Sequence, residues 1–372
     1  MNIFVFGSSI VSSYWNGAAT YYRGIYKYLA QRGHHITFAE PDAYERQQHR
    51  DQHNHSYVGS IVYRPTIDIP RMLNYASHAG VVIKHSGLGV DDELLEGAVL
   101  ELKAPKAVIF WDVDAPATIG RIEGDIHDPF RQRIRQYDAI FTYGGGPEMR
   151  AAYLRHGART YCSVYNGLDP DTHYPVTSDP ALACDVAFIG NRLPDRERRV
   201  EELFFRAAAM APDKQFLLGG EGWGDKPMPA NVRWIGHIPT HEHNRVNCSA
   251  GMVLNINRSS MASCGFSPPT RVFEVAGAGS CMLCDDWPGI DDCFEPEKEI
   301  LVVRTAEDIV NALNRHGENS RKQIGEAFRT RALREHTYAC RAEQAEQALL
   351  QIRERKSNAR LARAIEVIQE AA

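Results

Sequence analysis

Short, uninterrupted apolar runs separated by helical stretches recur along the chain; the rhythm stops once, around residues 170–180, and then starts again. A run apolar at every position suits a strand covered on both faces, and parallel strands need a crossover, usually a helix, to join them. Alternation of the two predicts doubly wound parallel sheets, and the interruption predicts two of them.

The first set of runs lies at 3–6, 35–39, 81–83, 107–111, 139–142 and 161–164. Between the first two, Tyr21, Ile25, Tyr28 and Leu29 recur at helical spacing before Gly33 stops the helix. Residues 44–57 are polar and unpatterned and read as an exposed loop. A turn-rich stretch from Asn166 to Pro180 reads as a linker. The second set follows at 185–189, 215–218, 232–235, 252–256, 281–284 and 300–303, with a helix at 196–210. From about residue 339 the chain is one charged, alanine-rich amphipathic helix. The expectation is α/β with two Rossmann-like domains, 1–170 and 171–340, and a helix 341–372 that packs back toward the first. A length of 372 residues fits two domains with some to spare.

Composition narrows the partners. With 42 Lys+Arg against 47 Asp+Glu the net charge is −5, which disfavours nucleic-acid binding driven by overall charge. The start of the chain is too short in apolar residues for a signal peptide, and no run of about 18 apolar residues predicts a membrane span. The eight cysteines sit mostly in apolar or strand-like segments, as reduced packing residues do. A cytoplasmic protein is expected.

Ligands of doubly wound sheets bind at the carboxyl ends of the strands, and two such domains suggest a cleft between them. The most informative segment is Gly265-Phe266-Ser267-Pro268-Pro269-Thr270-Arg271-Val272-Phe273-Glu274, continuing to a small-residue turn at Gly277-Ala278-Gly279 and an apolar strand. Ser267 suits a helix N-cap and Pro268 a first turn, so the helix would present free N–H groups to a phosphate. Arg271 and Glu274 share one helical face. They could hold a diphosphate and two ribose hydroxyls, or simply pair with each other on the surface.

A helix bearing a glutamate, then a small-residue turn and an apolar strand, resembles the donor site of GT-B glycosyltransferases. The longer string GFSPPTRVFEVAGAGSCMLCDDWPGIDDCF is most similar to the CgeB-like, spore-maturation type. The resemblance implies that Glu274 holds the ribose of a nucleotide-sugar, with Arg271, Ser267 and Thr270 near its phosphates. It also implies that basic residues after the 185–189 strand, Arg192 first and then Arg196 and Arg198, neutralise the departing diphosphate without a metal or other cofactor. Asn166-Gly167-Leu168-Asp169 resembles the interdomain turn, and residues 232–237 the border of the base. Many retaining relatives carry a second glutamate eight positions before the ribose-binding one. Here that position is Phe266, so retention cannot be inferred.

In the first domain Asp112 and Asp114 end a predicted strand just before Ala115-Pro116. Either suits the base that takes the acceptor proton, Asp114 being favoured, or a helix cap. His85 is a further candidate base. Ser12 to Gly17 resembles the GT-B loop in which Gly17 lets backbone amides approach the donor phosphate, while Tyr14, Trp15 and Asn16 would meet the acceptor or pack. Cys281 and Cys284 lie in a strand where positions three apart face opposite ways, so zinc is not expected.

The function so implied is transfer of a sugar, hexosyltransferase-like, from a UDP-, GDP- or dTDP-linked donor. The acceptor would be a hydroxyl or amine of a glycan, protein or small molecule, with a nucleic acid disfavoured by charge. A nucleotide-sugar epimerase on the same fold and a non-catalytic nucleotide-sugar-binding protein are the alternatives.

Overall fold

The computed structural model describes residues 1–14, 16–51, 56–102 and 106–370, with side chains up to residue 362. Its chain divides into two compact units, Met1–Tyr165 with Tyr338–Ala372, and Asn166–Thr337. The first boundary falls before residue 166 rather than at 170. Leu168 N–H donates to the His336 carbonyl (2.7 Å), and Leu168 bridges Thr337, which ties this turn to the second unit.

The first unit holds strands β1 (Asn2–Phe6), β2 (His35–Pro41), β3 (Gly59–Tyr63), β4 (Val81–His85), β5 (Ala107–Asp112), β6 (Ala139–Thr142) and β7 (Tyr161–Ser163). They form one parallel sheet in the order β3-β2-β1-β4-β5-β6-β7. β4 and β5 are buried at every position, as a sheet covered on both faces requires. β3 is the strand the apolar runs did not announce: it sits at the edge, pairs on one side only, and is half exposed. The loop at 44–51 is also less open than its polarity suggested, since Arg46 is buried.

The second unit holds β8 (Cys184–Ile189), β9 (Phe216–Gly219), β10 (Val232–Trp234), β11 (Ala250–Asn255), β12 (Met282–Asp285) and β13 (Leu301–Val303), again all parallel, in the order β10-β9-β8-β11-β12-β13. In each sheet the strand order reverses once, beside β1 and β4 and beside β8 and β11. The loops after those strands frame a crevice at the carboxyl ends, where such sheets take ligands.

The helix Tyr338–Glu370 belongs to the first unit. Tyr338, Ala342, Ala345, Leu349 and Ile352 repeat at three- and four-residue steps and complete the first unit's core against the helix Ala19–Gln31. Gly24 makes room for them: a side chain there would overlap the Tyr338 ring, 2.3 Å from a Cβ. Arg32 and His34 pair with Glu346, and Lys356 with Asp138. No helix among the described residues is long and apolar enough to cross a membrane.

Candidate functional site

The segment expected to carry the chemistry lies beside the crevice of the second unit. Its helix runs Thr270–Ala278, with Pro269 as N-cap and Gly279 as a left-handed C-cap (φ 71°). Ser267 is therefore not the cap. Pro269 forces the residue before it out of the helical region, so the helix cannot begin at Pro268. Ser267 is buried two residues ahead of that cap, and Thr270 opens the first turn half-buried. Gly277 lets the chain after β7 press onto the helix, since a Cβ there would lie 2.5 Å from Leu168 Cδ1 and 2.6 Å from the His173 carbonyl oxygen.

Glu274 is 6% exposed. Arg271 Nη1 lies 2.9 Å and His243 Nδ1 3.2 Å from the same oxygen, Oε2. Oε1 makes none of the hydrogen bonds found among the described residues. Burial alone would raise this carboxyl, but Arg271, His243 and His173 outweigh it and hold it well below the usual carboxylate range. The pair Arg271–Glu274 thus forms, but inside the fold rather than on its surface. Arg271 Nη1 aims no N–H at the oxygen and stays without a hydrogen-bond partner.

Positive charge is crowded nearby. Arg196 lies over the Phe188 ring, 5.6 Å from its centroid, and its Nε is buried without a partner. Burial, then the neighbouring Arg271 and Arg258, push its guanidinium down to about 10. Three arginines are gathered at the carboxyl ends of β8 and β11, beside the amino end of an uncapped helix. Arg258 pairs with Asp195 at 3.2 Å. Arg192, placed first by the resemblance, is instead engaged by Glu197 (2.8 Å) and Asp225 (2.9 Å). Arg198 is exposed and pairs with Glu202.

In the first unit the candidates separate. Asp112 is completely buried and accepts from Ser86 Oγ (2.6 Å), from Asp114 N (2.9 Å) and from the Tyr153 hydroxyl. His85 is a core residue, not an exposed base. Its Nδ1 faces the Trp111 carbonyl (3.1 Å), its Nε2 the Tyr26 hydroxyl (2.6 Å), and burial pushes the imidazole down to about 3. Asp114 is the half-exposed one, at the N-cap of the helix Ala115–Gly124 and making no capping bond with its side chain. Asn16 is buried and ties its loop together, donating to the Ser9 and Ser12 carbonyls and accepting from Ser8. Gly17 is exposed with open space where a Cβ would stand. Tyr14 stacks on His49 at 4.0 Å, and Trp15 lies outside the described residues.

Residues 196–347 match the model of a glycosyl transferase-like family. Alr3699/HepE of Anabaena, solved in complex with UDP-glucose, superposes with a TM-score of 0.64 at 12% identity over 94% of this chain and 100% of its own. Sucrose-phosphate synthase (tll1590) from Thermosynechococcus elongatus does so at 0.64 and 16% identity, over 95% and 99%. An alpha-glucosyltransferase solved with UDP and a 13-mer DNA containing a HMU base gives 0.65 and 12% identity, over 94% and 99%. These likenesses fix the fold as GT-B, and the family match falls on the half that carries Glu274. No curated protein sequence matches the chain.

Three residues of this site escaped the reading of the sequence. His243 and His173 lie 31 and 101 positions before the glutamate they surround, and Arg258 follows β11 in a loop without a motif. The one available signal was Gly277, a small residue where a helix meets another segment closely.

Proposed function

We propose that this chain is a glycosyltransferase of the CgeB-like kind that takes its sugar from a nucleoside diphosphate, with a uridine diphosphate sugar the first donor to test. Glu274 Oε1 accepts the ribose hydroxyls, while Arg196, Arg271 and the amino end of the helix Thr270–Ala278 carry the diphosphate. The observation that carries the reading is the divided carboxylate: Oε2 held by Arg271 and His243, Oε1 in none of the hydrogen bonds among the described residues, and the buried Arg196 guanidinium beside Arg271 and Arg258. Neighbours solved with UDP-glucose or UDP support that choice of donor.

The first unit supplies the acceptor side. The acceptor, a hydroxyl or amine of a glycan, protein or small molecule, gives its proton to the Asp114 carboxylate as it attacks the sugar's anomeric carbon. The bond from that carbon to the β-phosphate oxygen breaks, and the nucleoside diphosphate leaves with the electron pair. Arginine charge stabilises the leaving group, so the chemistry is metal-independent. A net charge of −5 makes a nucleic-acid acceptor the less favoured partner. The eight cysteines, mostly in apolar or strand-like segments, fit a reducing, cytoplasmic setting.

The test is thermal melting with UDP, GDP, dTDP and CMP, each with its sugar conjugate, for the natural chain and Glu274→Ala. A ligand at about 100 times its Kd stabilises by about 2.7 kcal/mol. One diphosphate nucleotide should raise the melting temperature, and the variant should lose the shift. A natural chain that responds to none of them overturns the reading.

A further inference from the structure

Glu274 is reached from outside its own helix by His243, and the geometry of that ring is restrictive. Nε2 lies 3.2 Å from the Ile238 carbonyl oxygen and Nδ1 3.2 Å from Glu274 Oε2. A carbonyl only accepts, and a carboxylate held in its ionised form only accepts. A neutral imidazole has one N–H and can satisfy one of them; the doubly protonated ring satisfies both. The ring thus meets Oε2, the oxygen that Arg271 also holds, and not Oε1.

We infer that His243 is a positioning residue for the nucleotide, acting through Glu274, so that donor affinity depends on a side chain that holds the carboxylate rather than the donor itself. This rests on the donor reading above. Ile238 follows β10, so the ring links the donor helix to the stretch leading out of that strand.

Other charged and titratable groups surround the ring. Arg271 shares Oε2 and stays charged. His173, on the segment pressed against Gly277, is 4% exposed, and burial pushes its imidazole down, with Glu274 only partly restoring it. Its ring nitrogens reach no hydrogen-bond partner at good geometry, and neither does Asn244 Oδ1 beside it. On the ring's own helix, Arg245 is taken by Glu242 and Asp179. Among the described residues no three His, Cys, Asp or Glu side chains are arranged to hold a metal, so the two histidines and Glu274 are not a metal set.

The experiment is calorimetric titration of UDP into the natural chain, His243→Gln and His243→Ala, with melting curves as a folding control. Glutamine keeps one hydrogen-bond donor. His243→Ala should bind UDP about tenfold more weakly than the natural chain, the size expected for one hydrogen bond to a charged group. His243→Gln should recover part of that loss. With donor saturating, the turnover number should change little, because the effect lies in KM. UDP binding that needs Glu274 but is equally tight in the natural chain and His243→Ala overturns the inference. Failure of the natural chain to bind UDP at any pH overturns the donor reading instead. If the glutamine variant melts early, His243→Asn takes its place.

Discussion

Asp112 and Asp114 stand two residues apart at the end of β5, on one side of an extended segment, and no local rule separates them. Their surroundings do. Asp112 satisfies three donors in the core, so Asp112→Asn should lower the unfolding free energy by about 2–4 kcal/mol in urea titrations. Asp114→Asn should melt as the natural chain does, and its turnover should fall about 10²- to 10⁴-fold in a transferase assay. Near-natural turnover in the Asp114 variant would move the base elsewhere. His85 makes a pH prediction. Its folded imidazole sits at about 3, against about 6.5 in an unfolded chain. Between those values the unfolded chain binds a proton that the folded ring refuses, so stability is complete above pH 6.5 and falls below it. The slope is about 1.4 kcal/mol per pH unit. Urea titrations at pH 7, 6 and 5 should show that slope for the natural chain and one proton less for His85→Gln.

The helix Thr270–Ala278 illustrates how far an element can be read from its own residues. Its two prolines and Gly279 set both ends within three residues, because each acts through its own backbone: a proline by restricting its neighbour, a glycine by accepting a positive φ. What the helix touches was not legible. Gly277 meets Leu168 and His173 from a segment more than a hundred positions away. Gly277→Ala should therefore cost about 1–3 kcal/mol, since one contact is with backbone that cannot turn aside. It should also weaken nucleotide binding by displacing the chain around His173. Calorimetry on this variant measures both, and unchanged stability would mean that the approach is looser than 2.6 Å. β3 was missed for the converse reason. An edge strand needs no continuous apolar run, and Gly59–Tyr63 has none.

Across the molecule, the fold divides between the two sheets, but the chain order does not follow that division. The helix Tyr338–Glu370 comes last and completes the core built first. Ending the chain at Thr337 removes Leu349 and Ile352 from that core, at about 1.5–3 kcal/mol each before Tyr338 is counted. The first unit's unfolding transition should drop or vanish in scanning calorimetry, and limited proteolysis should cut first within residues 1–165. A truncated chain with an unshifted transition would show that the helix is dispensable.

Two parallel sheets, their interruption near residue 170 and the form of the helix bearing Glu274 were all present in the order of residues. Burial on both faces, crossover connections and turn chemistry act over a few residues at a time. The partners of the charges were not. Arg192 was drawn into ion pairs with Glu197 and Asp225, His85 into an aromatic core, and His243 onto Glu274 by folding alone. Which opposite charge a side chain meets depends on where distant loops arrive, and the order of residues does not encode that distance.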